Sequence, residues 1–310
     1  EILRRLSEDP IAGFYNFPAQ HTCKLGLGFL VYEADHSPDD PDRVTSGINA
    51  IRRCSVQGVT CAVIFSPAEI HRVLAFHLDR VLGFHRTLPT VSRRLSGDLR
   101  RQVGLPVDVS FPLMLYEPSL YHDPEMSQIS KSQLTACVSG HDGTLGLEWC
   151  NNVLTDDWSA VALFDFLLQI YHRMDVGCCG IDRSERLHRC SNSGGKRSAS
   201  CVNYTTASSL QKIGCSYRLR SASDQLVLVE NLVDLRAPVN KLDVWLLQGL
   251  HSFPAKAVAM LRERRLAPVL LDSLSMDNAY WEDQGGLPAM EEILDIIDAR
   301  GRRFLQYIDS

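Results

Sequence analysis

The chain has 310 residues, 45 % apolar and 22 % charged, with 32 Lys+Arg against 37 Asp+Glu and a formal net charge of −5. These are ordinary globular values, so disorder, collagen and coiled coil are excluded as the main architecture. The length suits about two domains or one large two-lobed fold. The charge balance carries no global signal for nucleic acid or a membrane surface, and no apolar run approaches the ~18 residues of a membrane helix. The chain opens on Glu1, so a signal peptide or membrane anchor is expected only upstream of it.

Residues 1–20 hold Pro10, Gly13 and Pro18 and read as an entry segment. Leu25 to Tyr32 is a predicted strand. Its Gly26 and Gly28 fit a strand or bulge better than a phosphate loop, because no helix signal follows them. Residues 36–44 are a polar loop, and Val59 to Phe65 is a second predicted strand. Ser66-Pro67-Ala68-Glu69 then forms a capping-box pattern with proline at the first helical position. Ile70, Val73, Leu74, His77, Leu78, Val81 and Leu82 recur at one-face helical spacing and Gly83 suits a C-cap, so the pattern predicts a helix over 67–82.

Val107 to Tyr116 is a third predicted strand, in which Pro112 suggests an edge or a bend. Residues 117–150 read as loop with a short helix near 128–136. Asp156 or Asp157 can cap a helix over about 157–174, whose SAVALFDFLLQIY run is apolar nearly all round and therefore predicted to be buried. Residues 180–222 form a polar insert. Between 183 and 220 it carries eight Lys/Arg and one acid, Glu185, a local charge of +7. Such a stretch is either a solvated loop or a site for a polyanion such as a sulfated glycan. Gln225 to Val229 is a strand, and helices are predicted at about 242–250, 254–265, 267–275 and 287–308.

Ten cysteines lack the C-x2-C spacing of a structural zinc site, and six of them fall between Cys150 and Cys215. An even count in loop-like sequence points to disulfides and an oxidising compartment. Asn203-Tyr204-Thr205 is the one glycosylation sequon and lies in the polar insert. No HExxH and no G-x-S-x-G occurs, which sets aside zinc and serine hydrolases.

The runs VLAFHLDRVLGFHRTLPTVSRR (73–94), ALFDFLLQIYHRMDVGCCG (162–180) and YWEDQGG (280–286) resemble the Golgi-associated kinase family. That family is related to the Four-jointed and Golgi casein kinase group of secretory-pathway kinases. The resemblance runs from about Cys54 to the C-terminus, with gaps at 98–150 and 181–222. It implies an α+β, atypical protein-kinase-like fold. A strand-rich N-lobe would span 1–117, with helix 67–82 as its helix-C equivalent. A larger helical C-lobe would span 118–310 and carry the Cys-rich basic insert 178–222. The implied setting is the Golgi lumen or the exterior, as a glycoprotein with disulfides.

Phosphoryl transfer needs a cation on the phosphates, an acid holding that cation, a base at the acceptor hydroxyl and metal-binding acids. Carried over by the resemblance, the lysine position is Phe65, and the nearest lysine, Lys24, lies on another strand. The helix-glutamate position is Arg72, with Glu69 one turn earlier either as a capping residue or as a displaced acid. The catalytic-aspartate position is His172, followed by Asp175. The metal-binding run reads Glu230-Asn231-Leu232-Val233-Asp234, which makes Glu230 and Asp234 the cation candidates and Asn231 a cofactor candidate. Glutamate adds a methylene to the reach toward Mg²⁺, which demands near-ideal octahedral geometry.

Two functions follow. The chain is either a pseudokinase acting as a luminal binding or regulatory module, with no cofactor, or an active secretory-pathway kinase. The active form would use ATP with Mg²⁺ or Mn²⁺ through displaced residues: Lys24 or Arg72, Glu69, His172 or Asp175, and Glu230 with Asn231. The partners implied are secretory-pathway proteins, among them another luminal kinase, and no nucleic acid.

Overall fold

The computed structural model describes residues 1–15, 27–32, 54, 59–97, 100–101, 109–116, 155–170, 217–219, 226–228, 231–242, 244–247 and 250–310. By contact the chain divides into two compact units. One comprises Glu1–His77, Thr87–Pro124 and Asp272–Met290; the other comprises Leu78–Arg86, Glu125–Leu271 and Glu291–Ser310.

The first unit is built on a five-stranded antiparallel sheet. Helix α1 (Ile2–Glu8) leads into β1 (Ile11–Tyr15), so the predicted entry segment is in fact a helix and an edge strand. The sequence signal failed there because α1 buries one side chain alone, Leu6, and so shows no apolar face. Strands β2 (Gly28–Tyr32), β3 (Cys61–Ile64), β4 (Thr90–Arg94) and β5 (Ser110–Leu115) complete the sheet in the order β1-β2-β3-β5-β4. Alternation places Leu30, Tyr32, Ala62, Ile64, Val91, Phe111 and Leu113 on one face around Leu6. Tyr32 Oη donates to the Leu6 carbonyl at 2.8 Å, and Arg93 Nη1 donates to the Leu6 and Asp9 carbonyls at 3.2 and 2.8 Å. These bonds occupy the orphan acceptors at the end of α1.

Gly28 opens β2 where Tyr15 approaches it: a Cβ there would lie 2.7 Å from the Tyr15 carbonyl oxygen. The glycine is therefore required by strand packing, in keeping with a strand reading of this run.

The edge reading of Pro112 is corrected. The residue lies in β5, an interior strand, and not at an edge. A residue in an antiparallel pair sends its N–H and C=O to the same side. The missing Pro112 donor therefore faces Phe65, just beyond the end of β3. There the Phe65 N–H donates to the Pro112 carbonyl at 3.0 Å, with no return bond possible.

The predicted helix 67–82 is also corrected. Pro67–Glu69 is a 3-10 turn, and α2 spans Arg72–Val81. Its end follows expectation. Gly83, at φ +75°, sends its N–H to the Arg80 carbonyl while Phe84 bonds the Asp79 carbonyl. Burial goes beyond one face, since Ala75, Phe76 and Asp79 are buried along with Val73, Leu74, His77 and Leu78.

Helix α3 (Thr155–Leu168) starts ahead of Asp156 and stops well short of residue 174. Gln169 takes φ +54° and closes the helix: its N–H bonds the Phe166 carbonyl, and Ile170 bonds the Asp165 carbonyl. The predicted all-round burial holds, with Leu163, Phe164, Phe166, Leu167 and Leu168 fully covered. Strands β6 (Tyr217–Leu219) and β7 (Leu226–Leu228) form a small antiparallel ribbon. The predicted helix 242–250 is two 3-10 turns, Val239–Lys241 and Val244–Leu247, and the second packs on α3.

The tail holds α4 (Ala255–Arg262), α5 (Leu266–Leu274), α6 (Asn278–Asp283) and α7 (Leu287–Ile308). Helix α6 was not anticipated. Its six residues are too few to show a period, and what forms it is the Asp277 cap, whose carboxylate accepts the Tyr280 N–H at 2.9 Å. It sits on β4 and β5, where Asp283 accepts the Ser110 N–H at 2.6 Å and pairs with Arg94. Phe304 of α7 meets Phe166 of α3 and, edge-on at 4.8 Å between ring centres, Phe253.

Candidate functional site

The candidate site begins where β3 ends. Phe65 follows the strand and is fully buried. Ser66 then turns the chain, its Oγ accepting the Ala68 N–H at 3.3 Å. Pro67 favours the turn, because its fixed φ suits a helical start and its missing N–H would have had no partner there. The Glu69 carboxylate is used elsewhere than in a capping box. Its Oε2 accepts Arg72 Nε at 2.7 Å and Arg72 Nη2 at 2.5 Å.

Arg72 is the first residue of α2 and is only 5 % exposed. Its guanidinium carbon lies 3.9 Å from the centre of the Phe65 ring. A cation over an aromatic face, partly out of water, is attracted by the ring quadrupole. Three of the sequence candidates, Phe65, Glu69 and Arg72, thus form one cluster. It holds a cation on the helix, an acid one turn before it, and an apolar ring at the end of the strand. A kinase phosphate site has the opposite layout, with its cation on the strand and its acid on the helix.

His71 precedes the cluster's arginine. Its Nδ1 lies 3.1 Å from Tyr280 Oη, and the two rings meet edge to face. Burial holds the His71 imidazole below its ordinary pKa. Tyr280 is wholly buried, and burial drives its phenol pKa well above the usual value.

The remaining described candidates lie in the other unit. Asn231 is buried, and its Nδ2 donates to the Leu228 carbonyl at 3.3 Å. Asp234 uses Oδ1 to accept the Arg236 N–H at 2.9 Å, while its own N–H bonds the Leu168 carbonyl at 3.0 Å. Sequence reasoning missed Arg300, which is fully buried. Its fork donates to the Leu167 carbonyl at 2.8 Å, to Asp234 at 2.7 Å and to Ala237 at 3.3 Å. One guanidinium thus holds the end of α3 and the turn that follows the candidate metal run. The signal was present in the sequence: Arg300 falls in register with buried Ile293, Ile297 and Phe304 on the apolar stripe of α7.

Lys24, His172, Asp175 and Glu230 lie outside the described residues, as do Asn203, the predicted helix near 128–136, most of the insert 178–222 and all cysteines except Cys54 and Cys61. Those two form a disulfide, with 5.8 Å between their Cα atoms. Among the described residues no group of three or more His, Cys, Asp or Glu side chains could hold a metal ion, and no helix is long and apolar enough to cross a membrane. Of the described candidates, Arg72 pairs with Glu69, while Asn231 and Asp234 each make a local bond to the backbone.

The model of the family described as FAM198 protein matches residues 39–310. The chain belongs to the FAM198 family. Among solved structures, hydra Fam20 with sugar is similar to this FAM198 chain at a TM-score of 0.53 and 12 % identity, covering 99 % of this chain and 87 % of that one. The Golgi casein kinase aligns at a TM-score of 0.47 and 12 % identity, and the same kinase with Mn/ADP bound at 0.44 and 12 %, each over 99 % of this chain and 76 % of the other. The α+β, kinase-like fold implied by the sequence resemblance is the fold of this FAM198 chain, and it is similar to that of hydra Fam20.

Proposed function

We propose that this FAM198 chain is a pseudokinase of the secretory-pathway lumen, a kinase scaffold that binds or modulates a partner and does not transfer phosphate efficiently. The cluster of Phe65, Arg72 and Glu69 carries the reading. With Phe65 fully buried at the lysine position, no ammonium extends from the end of β3. The one cation of the cluster is closed on Glu69. Removing a single electrostatic stabiliser costs an active site about 10²–10³ in rate. Here the strand cation is absent and the charge at its helix partner is inverted. The disulfide between Cys54 and Cys61 supports an oxidising compartment, hence the Golgi lumen or secretion. Partners of matching setting are secretory-pathway proteins, including an active luminal kinase, and a polyanion for the basic insert 183–220.

A thermal-shift titration with ATP, with and without Mg²⁺ or Mn²⁺, tests the reading. A bound ligand at 100 times its Kd adds about 2.7 kcal/mol to the native state. The expected result is no metal-dependent rise in melting temperature at millimolar nucleotide. A clear rise, followed by transfer to a secretory substrate that is lost in E230A or D175A, overturns it in favour of an active kinase.

A further inference from the structure

We infer that Arg72 is an oxyanion-binding residue whose binding edge is occupied internally by the Glu69 carboxylate, so that the cluster is a closed site for a phosphate group. The inference rests on reading this cluster as the phosphate-facing position of the scaffold, and it explains how that position is kept shut.

Arg72 presents Nε and Nη2 together to one acceptor, Glu69 Oε2, at 2.7 and 2.5 Å. That side of a guanidinium is a fork suited to the oxygens of a carboxylate or a phosphate. The guanidinium carbon lies over the Phe65 ring, 3.9 Å from its centre, so the ring supports the charged group. Arg72 also starts α2, a helix of ten residues, where the positive end of the helix dipole favours an anion. The acid is the more accessible partner: the Glu69 side chain is 26 % exposed and that of Arg72 is 5 %. An anion arriving from solvent therefore meets Glu69 first and must displace it to reach the fork.

Glu69 is three residues from Arg72 in the chain, so it competes as an intramolecular ligand at high effective concentration. Dissolved phosphate at millimolar concentration loses that competition in the native protein. Neutralising the acid reverses the outcome. E69Q keeps the shape of the side chain and its first-turn position but leaves the buried cation without this carboxylate. A phosphate oxygen, charged and so the stronger acceptor, can then displace the neutral amide.

The test is a thermal-shift titration of the full chain and of E69Q with inorganic phosphate, at ionic strength held constant with chloride. Metal-free ATP forms a second arm that separates a free phosphate from a nucleotide phosphate. E69Q should melt below the native protein in chloride and recover as phosphate is added, with an apparent affinity ~10-fold or more above that of the native chain. The double variant E69Q/R72Q should lose the response. Should E69Q fail to fold, E69D, whose carboxylate is drawn back by one methylene, should respond in the same direction but less.

A phosphate response in E69Q no greater than in the native chain, or one that survives R72Q, overturns the inference. So does an equal response in the native protein. A native protein that binds ATP with metal and transfers its phosphate to a secretory substrate overturns the pseudokinase reading and leaves this result standing. The two can thus fail separately.

Discussion

Asp277 accepts two hydrogen bonds from Ser92, a residue 185 positions earlier in the chain, from its backbone N–H at 2.8 Å and from its Oγ at 2.5 Å. The same carboxylate caps α6 through the Tyr280 N–H at 2.9 Å. One buried side chain therefore both starts the helix and fastens it to β4. D277A leaves two buried N–H groups and a hydroxyl without their acceptor, at about 1–3 kcal/mol for a buried unsatisfied group and about 1 kcal/mol for the cap. Urea unfolding should show a loss of about 2–4 kcal/mol. D277N, which keeps one carbonyl acceptor, should lose less.

His71 makes stability depend on pH. Its pKa in the folded chain is lowered by burial, so the unfolded chain takes up the proton first as pH falls. The contribution is full above the unfolded value of ~6.5 and is lost as pH drops toward the folded value. One proton gives a slope of at most about 1.4 kcal/mol per pH unit. Asp277 works in the opposite sense, because burial raises its pKa against the lowering effect of its bonds from Ser92 and Tyr280. Its contribution is full below the ordinary carboxylate value and fades as pH rises through the folded one. Comparing H71Q with the native chain cancels that background. Urea midpoints between about pH 7 and about pH 5 should fall less steeply in H71Q; parallel curves would count against the role of His71.

Arg300 donates to three carbonyls on two separate segments. R300M keeps much of the volume and removes every donor. The Leu167, Asp234 and Ala237 carbonyls then lose a charged partner in a buried place. The expected cost is about 3 kcal/mol or more in urea unfolding. Amide exchange should quicken selectively at 168–170 and 234–237. Uniform quickening across both units would show that Arg300 has no special hold on these turns.

Arg264 and Gln169 both take left-handed backbone, at φ +55° and +54°. Arg264 is exposed and closes α4, its N–H bonding the Leu261 carbonyl and that of Arg265 the Met260 carbonyl. R264G relieves a left-handed cost of about 1 kcal/mol and should raise the melting temperature. Q169G relieves the same strain but forfeits a buried bond, Gln169 Nε2 to the Phe166 carbonyl at 2.6 Å, so it should be neutral or destabilising. Equal gains in both variants would contradict the assigned role of the glutamine side chain.

Gly28 allows no side chain. In G28A the new Cβ would meet the Tyr15 carbonyl oxygen at 2.7 Å and the Phe14 ring at 2.5 Å, and the oxygen belongs to the backbone of β1. The edge strand must shift, at about 1–3 kcal/mol. Measured stability should fall by that amount, most of it through loosening of β1.

Features that rest on local pattern were legible along the chain. The apolar run before Gln169 predicted a buried helix, and Gly83 ended α2 where a left-handed residue was needed. The strands before Phe65 and around Pro112 were legible from their composition, and the family resemblance rested on three runs of residues. At the candidate site, the residues that matter at 65, 69 and 72 could be named, because motif spacing is a property of the chain. Their chemistry was not legible in the same way. Glu69 read first as a cap and second as a displaced acid, and the fold decided the matter by setting Arg72 over Phe65 and turning the carboxylate to it. Of the two readings of Pro112, an edge or a bend, the edge was wrong because strand order depends on pairings distant in sequence. Helix α6 went unseen because its six residues are too few to show a period and the contacts that hold it belong to β4 and β5, far back in the chain. Arg300 lay in register on the apolar stripe of α7, but its role emerged only once three carbonyls from two segments converged on it. Periodicity and capping act over a few residues and are written along the chain; the partner of a buried charge is chosen by packing, which brings together residues that no spacing rule connects.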